Sequence, residues 1–273
     1  MPPAMILCGG QGSRLRDVSE LLAKPMVPVG PQPILWHIMK IYAAYGVRRF
    51  ILCLGYKRES IIDYFVNYRA RSSDLTVKLG RNGGITFHGD FLDDEDWEVT
   101  LADTGEGAMT GARVLRASRY LRESDREFFL TYGDGVADVD VGALLDFHRS
   151  HRQSITVTAV HPAGRFGEIT VDGNRIIGFH EKPQTESGLI NGGFLVLDRG
   201  FVDRYLPPAA TGEHTILEEA PMRRAAAEAD MAAWVHAGFW QCMDTPREHH
   251  LLNQLWDSGS APWTRAWPRR PAG

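Results

Sequence analysis

The sequence from Ala4 to Leu15 reads AMILCGGQGSRL, and the rest of the architecture follows from it. A short apolar strand that runs directly into closely spaced glycines is typical of the first βα turn of an α/β sheet. Because glycine has no Cβ, the backbone N–H groups of such a turn can approach a phosphate chain closely. The opening therefore predicts an α/β fold with a phosphate-binding turn near its start.

Two common phosphate-binding turns do not fit this opening. A nucleoside-triphosphatase loop ends in Gly-Lys-Ser/Thr, whereas Gly12 is followed by Ser13-Arg14. A dinucleotide-binding turn needs a small residue where Leu15 stands and an acid after the second strand, where Gly55 stands. A plain glycine-rich turn stays an alternative. However, Lys24-Pro25 follows at short range and offers a second cation on a stiff segment, which favours a phosphate clamp.

The hydrophobic pattern alternates between strands and helices, as in parallel βαβ units. It predicts strands at 4–8, 49–54, 127–131, 155–160 and 193–197, and helices at 33–45, 59–68, 110–121, 216–227 and 246–256. Residues 75–102 and 167–179 predict short strands and hairpins. The expected fold is a Rossmann-like mixed, mainly parallel sheet with β-rich insertions. Residues 1–245 form the main unit, and 246–273 add a C-terminal helix and an irregular tail, either within the same domain or at a subunit contact.

The composition excludes several classes of protein. The chain has 273 residues, a net charge of −4, 44% hydrophobic and 23% charged residues, which excludes a disordered or fibrous chain. A mildly acidic chain argues against nucleic-acid binding. Its three cysteines predict core residues in a reducing compartment rather than disulfides. Since no signal peptide or apolar membrane span is evident, we expect a cytoplasmic protein without membrane contact.

Two aspartates stand where predicted strands end. Asp134 lies between two glycines, and Asp244 follows an apolar run over 239–243. Open α/β sheets bind ligands at this edge, and Mg²⁺ takes one or two carboxylates together with phosphate oxygens. The alternative is that each aspartate caps the next helix. Asp138 and Asp140 are predicted to be turn and cap residues.

Other polar residues also stand beside glycine or proline at strand ends. Glu181-Lys182 precedes Pro183, and Asn191 precedes Gly192-Gly193, which suits recognition of a polyol and its phosphate, although each alone is more often a turn. His148 and His151 predict a solvated helix face rather than a metal site. The tryptophans at 256, 263 and 267 predict packing or a subunit contact.

Taken together, these motifs resemble the sugar-1-phosphate nucleotidyltransferases. The resemblance is carried by the following segments: Gly9-Gly-Gln-Gly-Ser-Arg-Leu15, Lys24-Pro25, Asp103-Thr-Gly105, Met109-Thr-Gly111, Thr131–Asp138, Arg165-Phe-Gly167, Glu181-Lys-Pro183, Ile190–Phe194 and Met243-Asp-Thr245. Residues 33–39 and 131–138 favour the cytidylyl branch of this family. One departure is Leu21-Leu-Ala23, where the family often has a further basic Lys-Pro step.

The resemblance implies a nucleotidyltransferase catalytic domain over 1–245, dependence on Mg²⁺ and a homo-oligomer, a hexamer in the family. It implies CTP and glucose 1-phosphate as substrates, or the same chemistry with dTTP, UTP or another sugar phosphate; a nucleotide sensor without turnover is the remaining alternative. The implied catalytic residues are Arg14, Lys24 and Asp134, and the implied metal ligands are Asp134 and Asp244. The implied nucleotide-binding residues are Leu7, Gly9, Gly10, Gln11, Gly12, Ser13, Arg14, Lys24, Thr104, Thr110 and Gly133. The implied sugar-phosphate-binding residues are Gly167, Glu181, Lys182 and Asn191.

Overall fold

A computed structural model of the chain describes residues 1–10, 22–81, 83–88, 95–162, 168–172, 175–180 and 188–267. Its strands, in chain order, are β1 (Ala4–Leu7), β2 (Pro28–Val29), β3 (Gln32–Pro33), β4 (Arg49–Leu54), β5 (Asp74–Lys78), β6 (Gly84–His88), β7 (Glu98–Asp103), β8 (Glu127–Tyr132), β9 (Gly135–Ala137), β10 (Ile155–Val160), β11 (Glu168–Asp172), β12 (Arg175–His180), β13 (Ile190–Asp198), β14 (Met231–His236) and β15 (Trp240–Cys242).

The α-helices within the described residues are α1 (Ile34–Ala44), α2 (Arg58–Val66), α3 (Tyr68–Ser72), α4 (Thr110–Ser118), α5 (Val141–Ser150), α6 (Arg199–Tyr205), α7 (Ala220–Ala227) and α8 (Pro246–Asp257). Short 3₁₀ turns cover Lys24–Met26 and Pro262–Thr264. The helix predicted from residue 216 begins only at Ala220, since Pro221 suits the first turn of a helix. No helix within the described ranges is long and apolar enough to cross a membrane.

Seven strands form the central sheet, in the order β14-β10-β13-β8-β1-β4-β7. All neighbouring pairs are parallel except those of β13, which runs antiparallel to both β8 and β10. β1 lies inside the sheet, and all four of its residues are buried, as expected for an apolar strand covered on both faces. The predicted mixed, mainly parallel α/β sheet is confirmed.

Helices cover both faces of the sheet, and each face has its own core. On one face α1, α2, α5 and α8 pack around buried side chains that include Ile38, Leu144 and Leu252. On the other face α4, α6 and α7 pack around Val114 and Phe201. The β5–β6 and β11–β12 hairpins are separate two-stranded sheets, so the predicted β-rich insertions are also found.

The segment after α8 packs back onto α1 through aromatic side chains. His37 is fully buried and has ring contacts with Trp256, Trp263 and Trp267. The Nε1–H of Trp263 donates to His37 Nδ1 (3.3 Å), which leaves His37 Nε2–H to donate to the carbonyl of Val29 (2.8 Å). The tryptophans therefore serve in packing, as predicted.

This burial has a consequence for stability against pH. Removal from water lowers the pKa of His37 to about 4, although its backbone partner Val29 opposes the shift. His37 therefore binds a proton more tightly in the unfolded chain than in the folded chain. Its contribution to the free energy of unfolding is complete above pH 6.5 and is lost as the pH falls towards 4. We expect this one group to reduce the free energy of unfolding by about 2 kcal/mol between pH 7.5 and pH 5.

Urea unfolding of the wild type and of His37→Gln at both pH values measures this contribution. The loss between pH 7.5 and pH 5 should be smaller in the variant by that amount. The matched control is His250→Gln, which changes an exposed histidine of α8 and should leave the pH-dependent loss unchanged. An equal loss in the wild type and in His37→Gln would contradict the assignment.

Two predictions about single residues are wrong. His148 does not lie on a solvated helix face: it is 3% exposed, and its ring nitrogens contact Thr156 Oγ1 (2.8 Å) and Asp198 Oδ1 (3.3 Å). Asp138 is neither in a turn nor the cap of the next helix, and its carboxylate contacts His236 Nε2 (3.1 Å) and accepts from Arg265 (3.0 Å). Both depend on contacts with distant parts of the chain. Asp140, by contrast, caps α5 as predicted.

Candidate active site

The predicted functional residues that the structure describes gather at one edge of the sheet. β1, β4, β7 and β8 are parallel and all end there, and each continues into a glycine-containing turn. β13 is antiparallel to β8, so it begins at this edge, with Asn191 as its second residue. The chain therefore converges on one cleft, as the strand-end residues predicted.

At the centre of this edge Lys24 lies between the two predicted metal ligands. Its Nζ is 2.6 Å from Asp134 Oδ2 and 2.5 Å from Asp244 Oδ1. The side chain of Lys24 is 11% exposed, whereas those of Asp134 and Asp244 are 31% and 28% exposed. The two carboxylates thus share one cation while keeping access to solvent.

A two-stranded ribbon brings these aspartates together across 110 residues of sequence. β9 pairs antiparallel with β15, with Gly135 opposite Cys242, and Met243 N donates to the carbonyl of Asp134 (2.8 Å). α8 then begins with a capping box formed by Thr245 and Glu248. Glu248 also accepts from the backbone N–H of Asp244 (2.7 Å). Thr245 is therefore the N-cap of α8, and the alternative that Asp244 caps this helix is wrong.

The backbone on both sides of Lys24 is tightly held. Ala23 N donates to Ser60 Oγ (3.2 Å) on α2. Pro25 is buried against Gly133, where an added Cβ would lie 2.8 Å from Pro25 Cγ, so this contact needs glycine before Asp134. The predicted stiff segment therefore aims Lys24 at the cleft.

The charge of Lys24 is stabilised where it lies. Burial alone would lower the pKa of its ammonium group, but the charges and hydrogen bonds of Asp134 and Asp244 outweigh burial. The pKa of Lys24 is consequently raised above its ordinary value. The group is a permanent cation at neutral pH.

The donor set of this cluster suits a hard cation. One carboxylate oxygen of Asp134 and one of Asp244 lie at about the same short distance from Lys24 Nζ. Mg²⁺ prefers oxygen ligands and is usually held by one or two carboxylates. Cys242 and Glu248 lie near Asp244, but burial raises the pKa of the Cys242 thiol to about 12, and Glu248 is engaged by backbone N–H groups. Asp134 and Asp244 therefore stay the predicted metal ligands.

Thr104 lies beneath the cleft rather than on its surface. Its side chain is 1% exposed, and its hydroxyl donates to the carbonyl of Leu54 (2.6 Å) and accepts from Arg113 (2.9 Å). Arg113 also donates to the carbonyl of Gly9 (3.0 Å). The geometry makes Thr104 a support for the backbone at the strand ends, and its role towards a nucleotide stays a prediction.

Thr110 belongs to a hydrogen-bonded chain that reaches Asn191. Its hydroxyl donates to Glu218 Oε2 (2.6 Å) and accepts from Leu217 N (2.9 Å). Tyr132 donates to the other oxygen of Glu218, and Asn191 Nδ2 donates to the Tyr132 hydroxyl (3.3 Å). Burial and the Glu218 carboxylate raise the pKa of Tyr132, so it stays a donor. This chain fixes the exposed Asn191 amide at the cleft.

Some predicted site residues are placed at this edge and others lie outside the described residues. Leu7 ends β1, and its carbonyl accepts from Gly133 N (3.0 Å); Gly10 is exposed, with open space where a Cβ would stand. The predicted residues outside the described ranges are Gln11, Gly12, Ser13, Arg14, Gly167, Glu181 and Lys182. Sequence reasoning missed Arg113, Tyr132 and Glu218, although the Tyr132-Gly133-Asp134 run was a usable signal for the tyrosine.

Lys24, Asp134 and Asp244 thus lie at the strand ends of a mainly parallel α/β sheet, where such sheets bind their ligands. Residues 3–245 match the nucleotidyl transferase family, and the chain belongs to it.

Among curated proteins, the chain is 42% identical over 264 residues to the glucose-1-phosphate cytidylyltransferase of Salmonella typhi, covering 97% of this chain and 99% of that protein. Solved structures share the fold at lower identity. HddC from Yersinia pseudotuberculosis is 21% identical with a TM-score of 0.64, covering 94% of this chain and 100% of that one. The inositol-1-phosphate CTP transferase from T. maritima is 15% identical with a TM-score of 0.61, covering 93% and 96%.

Proposed function

We propose that this chain transfers the cytidylyl group of CTP to α-D-glucose 1-phosphate, giving CDP-glucose and pyrophosphate. The observation that carries the proposal is the near full-length similarity to a glucose-1-phosphate cytidylyltransferase. The region of similarity includes both Asp134 and Asp244, because it covers almost the whole chain. The cleft supports the same activity, because its lysine and paired carboxylates suit phosphate chemistry rather than acyl transfer or hydride transfer.

The reaction needs no general base. A sugar-phosphate oxygen, which is already anionic, forms a bond to the α-phosphorus while the bond from that phosphorus to the pyrophosphate oxygen breaks. Two polyanions must be brought together in line, so catalysis consists of positioning and charge neutralisation. This agrees with a site made of a cation, carboxylates and backbone amides.

We assign roles to the chain's residues on that basis. Lys24 stabilises charge at the α-phosphate, and the turn that begins at Gly9 and Gly10 provides backbone N–H groups for the triphosphate. Asp134 and Asp244 would hold Mg²⁺, and the bound ion would neutralise phosphate charge. Asn191, fixed through Tyr132, contacts the sugar phosphate. Arg14, Glu181 and Lys182 are proposed from the family resemblance.

The experiment that tests this function measures pyrophosphate release across CTP, dTTP, UTP and GTP, each with several hexose 1-phosphates and MgCl₂. We expect CTP with glucose 1-phosphate to have the highest kcat/KM, by about 100-fold or more, because discrimination between bases rests on hydrogen bonds left unpaired by the wrong base. Product identity is checked by mass spectrometry.

Other outcomes of this experiment are equally informative. Higher turnover with dTTP or UTP would replace the proposed nucleotide but keep the reaction. Nucleotide binding without pyrophosphate release would favour a sensor. The hexamer and the cytoplasmic location stay predictions, and gel filtration with light scattering measures the first.

A further inference from the structure

Arg113 on α4 is a buried guanidinium that joins three strand ends of the cleft. Its side chain is 4% exposed, although arginine is rarely buried without a partner. Its two terminal nitrogens lie 2.9–3.1 Å from the carbonyl oxygens of Gly9, Leu54, Gly105 and Glu106 and from the hydroxyl of Thr104. Gly9 follows β1, Leu54 ends β4, and residues 104–106 follow β7. One side chain therefore fixes the relative positions of three turns.

The surrounding backbone is shaped for this side chain. An added Cβ on Gly9 would lie 2.1 Å from Arg113 Nη1, and one on Gly55 would lie 2.3 Å from the same atom. No side chain larger than glycine fits at either position while the guanidinium stays in place. Gly9 thus has a second reason to be glycine, besides approach to a phosphate.

No carboxylate hydrogen-bonds Arg113 within the described part of the chain; all its acceptors are carbonyls or a hydroxyl. Cys8 and Cys53 lie close by, but burial raises the pKa of both thiols, which keeps them uncharged. The carboxylate of Asp103 is bound by Arg58 and by Gly105 N. Asp103 attracts the Arg113 charge only through space, without a hydrogen bond to it. A buried charge with neutral hydrogen-bond acceptors is costly, and it becomes favourable where an anion binds nearby.

We propose that Arg113 is a positioning residue for the triphosphate: it holds the turn at Gly9 in its binding geometry and supplies positive potential beneath it. This inference rests on the proposed function, because it takes a nucleoside triphosphate as the ligand of that turn.

The test compares Arg113→Gln, Arg113→Lys and Gly9→Ala with the wild type. Steady-state kinetics give KM for each substrate, and calorimetry gives the dissociation constant of CTP without turnover. In Arg113→Gln we expect the KM and dissociation constant for CTP to rise about 30-fold, with KM for glucose 1-phosphate within about twofold. Arg113→Lys keeps the charge and should recover part of the affinity. Gly9→Ala should weaken CTP binding although the arginine is present.

The matched control is Arg116→Gln. Arg116 lies on the same helix and donates to the carbonyl of Thr104 (2.6 Å), but it is exposed. Its loss should leave CTP binding within about twofold of the wild type.

Three results would overturn the proposal: unchanged CTP binding in Arg113→Gln, equal rises in KM for both substrates, or no recovery in Arg113→Lys relative to Arg113→Gln. If Arg113→Gln does not fold, the Lys and Gly9→Ala variants decide by the same measurements. Failure of the proposed function is a separate result, since it requires wild-type protein that releases no pyrophosphate from CTP and glucose 1-phosphate.

Discussion

Asp134→Asn should reduce the turnover number by about a thousandfold while the protein stays folded, because it removes one of two carboxylates from a site that works by charge placement. The substitution preserves the shape of the side chain, and Lys24 keeps its second partner, Asp244. Pyrophosphate release measures the catalytic loss. Titration with Mn²⁺ in the absence of substrates measures the loss of metal binding, for which we also expect at least about tenfold weaker affinity.

The control for this substitution is Asp140→Asn. Asp140 caps α5, with its carboxylate accepting from Ala143 N (2.8 Å), and asparagine caps helices about as well as aspartate. Turnover and Mn²⁺ affinity should both be unchanged there. Undiminished turnover in Asp134→Asn would remove this residue from the metal site. Normal Mn²⁺ binding with lost turnover would instead restrict it to a role towards substrate.

Lys24→Met should change catalysis and metal affinity in opposite directions. We expect turnover to fall by about 100-fold or more, since the cation proposed for the α-phosphate is lost. Mn²⁺ should nevertheless bind about tenfold more tightly without substrates, because Lys24 Nζ contacts the same carboxylate oxygens and competes with a divalent ion for them. Without added metal, the variant should unfold at a lower temperature, because two carboxylates then face each other without a cation.

Lys40→Met is the matched control, because it removes a lysine–carboxylate pair of comparable burial, between Lys40 and Glu95 (3.2 Å). It should leave Mn²⁺ affinity unchanged. Weaker Mn²⁺ binding in Lys24→Met would contradict competition and would indicate that the lysine organises the carboxylates for the metal. Calorimetry, or the electron paramagnetic resonance of free Mn²⁺, separates these outcomes.

Much of the fold and the centre of the cleft could be predicted from sequence because the signals are local. A buried strand followed by glycines can be recognised from a short stretch of sequence. The proline after Lys24 and the glycines on both sides of Asp134 indicate these two residues in the same way. The edge of a parallel sheet then brings strand-end residues together whatever the details of packing. For that reason Lys24, Asp134 and Asp244 were predicted at one place.

The parts that sequence reasoning missed depend on tertiary contacts. Arg113 stands in an amphipathic helix, where an arginine ordinarily faces solvent, and only the assembled sheet edge surrounds it with carbonyl groups. His148 stands on a helix whose local pattern gives no sign of burial, yet its Nε2 lies 3.3 Å from Asp198 Oδ1 at the end of β13, 50 residues away. The Glu218 carboxylate accepts hydrogen bonds from Tyr132 and Thr110, which stand 86 and 108 residues before it in the sequence. No local pattern in the sequence predicts contacts between residues that stand so far apart.

The β9–β15 ribbon gives the site an order of assembly. Asp134 stands near the middle of the sequence, but the ribbon that places Asp244 beside it needs β15, and the capping box needs the first turn of α8. Closing so long a loop is entropically costly and slow compared with local folding. A growing chain can thus complete most of the sheet and still lack a working cleft. The contacts that place Asp244 beside Asp134 therefore form only after the chain extends through the first turn of α8.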